Sequence, residues 1–466
     1  MLPDDVLLAI FDFCVYTESS WKKELEVWQT LVHVCRRWRG VVFGSPRHLK
    51  LQLVCTSRTP ARDTLDVWPA LPLTIYSVGD QKIGNVDNIV AVLERTNRVR
   101  QINVILSSSD LEKISAAMQE PFPELTDLTL VSSSHSTPAF PDSFLGGSAP
   151  RLRFLELHGI PFPGLPKLLL SATHLVHLNL FLIPHSGYIS PEVMVTALSA
   201  LTSLGTLQLE FKSPRSWATR HSPPSTRLVF PSLNFFSFKG AGEYLEDLVA
   251  RIDAPRLVKL YITFFNQIVF DTPQFIQFIS RTPTSEALEK ASISFEDGAA
   301  SIDLSSQTIT YRGLNVKIPC RELDWQVSSL EQVCTYCLPL LAMLEDLYIF
   351  DFPYWQSEWQ DNIENTLWLE LFHPFAGVKN LYLSEEFARR IVPALQELIG
   401  GRTTGVLPAL QNIFLEGLQQ SGPIREGIGQ FVATRQVTDH PIAVSRWDTK
   451  AKFKSSTIDK CLLTPL

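Results

Sequence analysis

The chain has 466 residues, 45% of them hydrophobic and 19% charged, with a formal net charge of -7 at pH 7. That balance belongs to a folded chain long enough for several domains, or for one long repeat array with an attachment, and it excludes a disordered one. A mildly acidic chain also lacks the broad basic footprint of a general nucleic-acid binder.

No run reaches the roughly 18 to 20 uninterrupted apolar residues that cross a bilayer, so no membrane partner is expected. The N-terminus, MLPDDVLLAIFDFC, carries aspartates where a secretory signal carries positive charge, which reads as an intracellular chain, cytoplasmic or nuclear. Seven scattered cysteines (Cys14, Cys35, Cys55, Cys320, Cys334, Cys337 and Cys461) fit reduced thiols better than a disulfide framework. Cys461, in the terminal CLLTPL, stands two positions too far from the end for a prenylation box.

In chain order, LPDD signals the first helix: Pro3 suits an early helical position, and Asp4 and Asp5 complement the positive end of the helix. Leu2, Val6, Leu7, Ile10 and Phe11 then recur at helical spacing, and Tyr16 to Ser20 reads as a loop. Leu25, Trp28, Leu31, Val32, Cys35 and Trp38 predict one or two further helices, ended by GSP at 44–46. Inside them, LVHVCRRWRGVV (31–42) admits three readings. Arg36, Arg37 and Arg39 could contact phosphates; or Leu31, Val34, Cys35 and Trp38 could form the buried stripe of a helix whose arginines face water; or part of the apolar surface of residues 2–40 could remain for a partner.

Between 50 and 120, KLQLVC (50–55), LPLTIYSVG (71–79) and VRQINVIL (99–106) read as strands, and NVDNIVAVLERT (85–96) as a helix. From about 120 an LxxLxL pattern keeps returning: FPELTDLTL, APRLRFLEL, THLVHLNL, LTSLGTLQL, FPSLNFFSF and APRLVKLYI, then four looser copies. Anchored on the first apolar position they fall at 125, 152, 175, 204, 233, 257, 288, 344, 378 and 410. Most intervals lie near the roughly 20 to 29 residues of leucine-rich repeats. The exception is the 56 residues between 288 and 344, where ITYRGLNVKI reads as a strand pair departing from the rule. Each unit supplies a short strand with inward leucines and a return segment. PEVMVTALSALTSL, TPQFIQFISRT and FARRIVPALQELIGG have the helical period for that return. Thr126-Asp127, Arg153, Glu156, Val176-His177, Lys259 and Glu345-Asp346 occupy the variable places, where a partner surface is expected. From 418 a cap and a polar tail with KAKFKSSTI follow.

Catalytic patterns are not found. Cys334 and Cys337 form one CxxC in an apolar, helical setting with no second pair, which reads as buried packing. His158, His174 and His177 have no accompanying acid and nucleophile, and neither a GxSxG turn nor a phosphate loop occurs. No metal or cofactor is expected.

LPDDVLLAIFDFC followed by WQTLVHVCRRWRGVVFGSPRHLKLQL resembles the F-box domain, in the form found in fungal, basidiomycete-type F-box proteins with leucine-rich regions. The family's elements stand here as Leu2-Pro3, Val6-Leu7, Ile10-Phe11 and Val34-Cys35-Arg36-Arg37-Trp38. The resemblance covers about 50 residues and implies a short N-terminal three-helix F-box (1–50); with the repeat pattern, the expectation is an α/β protein continuing with a linker, cap or early repeats (51–120), a curved leucine-rich-repeat solenoid (121–417) and a C-terminal cap and tail (418–466). The resemblance further implies that Leu2, Pro3, Val6, Leu7, Ile10, Phe11, Val34, Cys35 and Trp38 serve the docking of a Skp1-like adaptor. Trp38 is left open between internal core and a partner-facing edge. Through the adaptor the chain would join a cullin and RING ligase and hold a protein substrate, without catalysing ubiquitin transfer itself. The alternative is an interaction scaffold or receptor with an F-box-like cap and no role in ubiquitination.

Overall fold

The computed structural model describes residues 2–16, 21–76, 85–134, 137–214, 226–265, 270–283, 288–296, 298–306, 313–351, 363–398, 405–417, 422–437 and 441–447. The chain divides into two compact units between Tyr188 and Ile189, within the stretch expected as one run of repeats.

The first unit opens with three helices, α1 (Asp4–Tyr16), α2 (Trp21–Val34) and α3 (Arg36–Gly44). The loop expected over 17–20 lies outside the described residues. LVHVCRRWRGVV is not one helix. Cys35 has extended backbone (φ -161, ψ 167), and its Sγ accepts from the Trp38 N–H at 3.4 Å, so it caps α3 instead of continuing α2. The break changes the phase of the helix. Val32, Val41 and Val42 are buried, while Val34 and Cys35, expected in the buried stripe, are exposed.

Strands and helices then alternate: β1 (Leu53–Cys55), α4 (Ala61–Val67), β2 (Leu73–Tyr76), α5 (Val86–Leu93), β3 (Val99–Leu106), α6 (Ser108–Ala117), β4 (Asp127–Ser132), β5 (Phe154–His158), α7 (Leu165–Ser171) and β6 (His177–Ile183). β1 to β6 pair in chain order and in parallel, starting at Leu53, so the stretch before residue 120 shares the sheet of the LxxLxL units. Parallel neighbours need a crossover, and helices provide it except between β4 and β5, where the described residues hold a single 3-10 turn at Phe144–Gly147. Asn85 and Ser107 start two of the helices, accepting from Asp87 N at 3.0 Å and Asp110 N at 3.3 Å. Buried Trp28 anchors α2 to the same unit. It stands edge-on to Phe43 and Trp68, with centroids at 6.3 and 5.4 Å, and its indole N–H donates to Gln52 O at 3.1 Å.

The second unit continues with α8 (Pro191–Leu198), β7 (Thr206–Phe211), β8 (Leu228–Val229), β9 (Phe235–Gly240), α9 (Gly242–Ala250), β10 (Ile252–Asp253), β11 (Lys259–Phe264), α10 (Pro273–Arg281), β12 (Lys290–Glu296), β13 (Ala299–Ser305) and β14 (Gly313–Pro319). After these come α11 (Leu323–Cys337), β15 (Asp346–Asp351), α12 (Asn365–Phe372), β16 (Asn380–Leu383), α13 (Glu385–Glu397), β17 (Asn412–Glu416), α14 (Pro423–Val437) and β18 (Ala443–Trp447). Its main sheet runs β7-β9-β11-β14-β13-β12-β15-β16-β17-β18, and β8 pairs with β10 apart from it. The long interval before 344 holds a three-stranded antiparallel meander, β12 to β14, and then α11. Gly313 begins β14 where any Cβ would meet Leu304 O at 2.8 Å. Residues 309–312 of the expected strand pair lie outside the described residues.

Across both units each of the ten LxxLxL anchors stands two residues ahead of a strand, and all but Leu288 are buried. The inward rows, such as Leu128, Leu155 and Leu178 or Leu347, Leu381 and Ile413, are buried leucines and isoleucines. This is a repeat-type α/β architecture, in which each strand covers its apolar face with help from its neighbours. Beyond 418, α14 packs on α13 and β18 adds a parallel strand to β17. KAKFKSSTI and Cys461 lie outside the described residues.

Candidate functional site

α1 presents two faces. Leu7 and Phe11, four residues apart, are 4% and 0% exposed. Leu2, Val6, Ile10 and Phe13 follow a second stripe at spacings of four, four and three, and are 51%, 39%, 41% and 69% exposed. The F-box resemblance implies that Leu7 and Phe11 belong to the adaptor-gripping surface. Their side chains instead hold the helix to its neighbours, with the Phe11 ring 4.8 Å from Trp38. Both kinds of position look alike in a run of apolar residues, and only the packing of α3 separates them. Pro3 is exposed beside Leu2, and Val34, at the end of α2, adds an apolar side chain 56% exposed. Phe13 was not foreseen; its signal was its place at the end of the 2, 6, 10 series.

Three consecutive residues of α3 organise this face. The Arg37 guanidinium donates from Nε and Nη2 to Asp4 Oδ1, at 3.1 and 2.7 Å, and from Nη2 to Leu2 O. Trp38, half-buried, meets Phe11. Arg39 Nε donates to Val32 O at 3.0 Å, closing the last turn of α2. Arg37 and Arg39 thus join helices, and of the three arginines Arg36 and Arg39 are exposed while Arg37 is half-buried.

The second surface is the sheet face whose side chains alternate with the inward leucines. In the first unit it is polar. Thr74 Oγ1 donates to Gln52 Oε1 at 2.8 Å, Gln101 Nε2 to Asp127 Oδ2 at 3.1 Å, and Asn179 Nδ2 to Glu156 Oε2 at 3.1 Å. Burial and the neighbouring Arg153 guanidinium push the His177 imidazole below its usual range. His158 stacks obliquely on Phe181 at 6.0 Å, and its buried Nδ1 has no hydrogen-bond partner among the described residues.

In the second unit the same positions change character along the sheet. On the meander, Asp303 accepts from Asn315 Nδ2 at 3.4 Å, and burial pushes its carboxyl up to about 6, against the pull of that bond and of Lys290. Further on, Asp346, Asn380 and Asn412 form a hydrogen-bonded row, at 2.6 and 2.8 Å. Next to it Tyr348, Tyr382 and Phe414 stack almost parallel, at 4.2 and 4.4 Å. Trp447 crosses this column 5.5 Å from Tyr382 and 5.8 Å from Tyr348, and its buried Nε1 has no hydrogen-bond partner among the described residues. The column was legible in principle, since LEDLYIF, VKNLYLS and LQNIFLE put Tyr348, Tyr382 and Phe414 in one place of three aligned motifs.

Of the variable positions expected on a partner surface, Asp127, Glu156, His177, Lys259 and Asp346 lie within strands, and Thr126, Arg153, Val176 and Glu345 just ahead of them. Asp346 is buried under its asparagine row, a correction to the expectation of exposure. Cys334 is buried in α11, and the side chain of Cys337 lies outside the described residues. Among the described residues no group of three or more His, Cys, Asp or Glu is placed to hold a metal ion. No described helix is long and apolar enough to cross a membrane.

No protein-family model matches the chain, and no curated protein sequence does. Among solved structures it is similar to the leucine-rich repeat-containing protein LegL7 from Legionella pneumophila, at 11% identity and a TM-score of 0.24, over 82% of this chain and 97% of that one. At that score the likeness carries no structural inference.

Proposed function

We propose that this chain is a non-catalytic protein-interaction scaffold that engages one partner through the helical N-terminus and another on the polar sheet face of the first unit. The observation that carries the reading is the divided α1: while Leu7 and Phe11 pack inward, Leu2, Val6, Ile10 and Phe13 form one exposed apolar stripe. Such a contiguous stripe costs solubility and fits the apolar groove of another protein.

The narrower reading is an adaptor-bound subunit of a Skp1-cullin-F-box ubiquitin ligase. It is supported by the joint motif of Leu2-Pro3, Val6-Leu7, Ile10-Phe11 and Val34-Cys35-Arg36-Arg37-Trp38. In that role the stripe grips a Skp1-like adaptor, and the repeats raise the effective concentration of a protein substrate near the ubiquitin-conjugating enzyme.

The test is calorimetric titration of the purified chain with Skp1, beside a variant carrying Val6→Asp and Ile10→Asp. Both positions are exposed, so circular dichroism should stay unchanged. Leu7 is unsuitable because a charge there would strike the helix packing. Loss of two central apolar anchors is expected to weaken binding by about 100-fold or more. A folded wild type that does not bind Skp1 removes the ligase reading and leaves the scaffold.

A further inference from the structure

We infer that Arg37 is a positioning residue of the α1 docking stripe, a statement that rests on the docking reading above. Leu2 and Val6 belong to the stripe, yet they flank the first turn of α1, where a helix has the fewest internal hydrogen bonds. Leu7 N to Pro3 O, at 3.1 Å, is the first bond of that turn. Leu7 packs the end of that turn inward, and the polar tie the described residues show at its start is the Arg37 guanidinium, reaching both the Asp4 carboxylate and the Leu2 carbonyl from the first turn of α3. A planar fork can hold a carboxylate and a carbonyl together, which the single ammonium of lysine does less well. Asp4 is already favoured at the positive end of α1, so the clasp joins two compatible interactions. Trp38 and Arg39 then fix the later turns of α1 and the end of α2, which leaves Arg37 with the presentation of Leu2 and Val6.

The clasp is partly open to water, with side chains 33% and 65% exposed for Arg37 and Asp4, so its effect is modest and screened by salt. Apolar docking itself does not weaken as salt rises. The deciding experiment uses the full chain with Arg37→Met, Arg37→Lys and Asp4→Asn, and two readouts. The first is amide hydrogen exchange over the first turn of α1 in the free protein. The second is affinity for Skp1 in low and in high sodium chloride. Arg37→Met and Asp4→Asn are expected to speed first-turn exchange about 3- to 5-fold and to weaken low-salt binding by a similar factor, with Arg37→Lys in between. The wild type should lose that advantage in high salt, and Arg37→Met should show no such loss.

Unchanged exchange in Arg37→Met overturns the clasp. Faster exchange with unchanged affinity overturns its positioning role. A wild type that binds no Skp1 overturns that role together with the adaptor reading, and the exchange data tell this result apart from a failure of the clasp.

Discussion

The sheet faces of β1–β6 and of β15–β18 use one device and reach opposite ends. In both, parallel pairing puts the same motif position of successive repeats side by side, about 4.8 Å apart. Where that position holds Gln, Thr, Asp or Asn, neighbours join in hydrogen-bonded rows, as from Gln52 to Thr74 and from Gln101 to Asp127, and most of the side chains stay in contact with water. Where it holds Tyr, Tyr and Phe, the spacing of the strands is close to that of stacked rings, and the column at 4.2 and 4.4 Å closes under Trp447. Strand geometry alone therefore does not make a binding face. The first unit keeps a wettable surface, the kind that the proposed partner binding requires. The end of the second unit buries its surface in a small second core, beside the last described strand of the sheet.

The comparison breaks most sharply at Trp447. If the ring seals the column, Trp447→Ala should lower the unfolding free energy by about 3 kcal/mol, within the range for large aromatic truncations in cores. Denaturant unfolding followed by circular dichroism measures it, and a loss under about 1 kcal/mol would return the column to the class of open surfaces. Asp303 tests the zone between the two extremes. Its carboxyl is pushed up to about 6 by burial, from 3.8, so between those values the folded chain binds more protons than the unfolded one. Its contribution is favourable below the lower value and is lost as pH rises through about 6. Asp303→Asn, which stays neutral, should be more stable than wild type by on the order of 1 to 2 kcal/mol near pH 7.5, with the gap closing toward pH 4. A pH-independent gap would show that the carboxyl is well solvated.

Much of this was written in the chain. The LxxLxL anchors mark ten strands because inward leucines are required wherever a strand must be covered from one side, and sequence displays that requirement directly. The three earlier strands, at 53–55, 73–76 and 99–106, were visible from alternation alone. β18 was not, because it carries Val444 and Arg446 where its neighbour β17 carries Ile413 and Leu415. Phe13 apart, the exposed stripe of α1 was legible as a set of apolar positions and not as a face. Leu7 and Val6 are adjacent and equally apolar, and the choice between them is made by α3, which a break at Cys35 sets in place. The same break gives Arg37 and Arg39 their partners, at separations of 33 and 7 residues that no local pattern announces.

The smallest expected effect sharpens the comparison from the other side. Gln101 sits in the polar row of the first unit, half-buried, and its amide donates to Asp127. Asp127 also accepts from Thr126 Oγ1 at 2.6 Å, so removing the glutamine leaves the carboxylate that donor and access to water. Gln101→Ala should therefore lower stability by only about 0.5 to 1 kcal/mol, the net worth of a hydrogen bond whose partners water can serve. The same substitution should weaken capture of any protein bound on that face by more than it weakens folding, because a partner excludes the replacing water and leaves the unmet carboxylate to cost more. A folding loss of 2 kcal/mol or more would mean that the row acts as buried core. The polar face would then be as closed as the aromatic one, and the binding surface of the repeats would have to be sought on other residues.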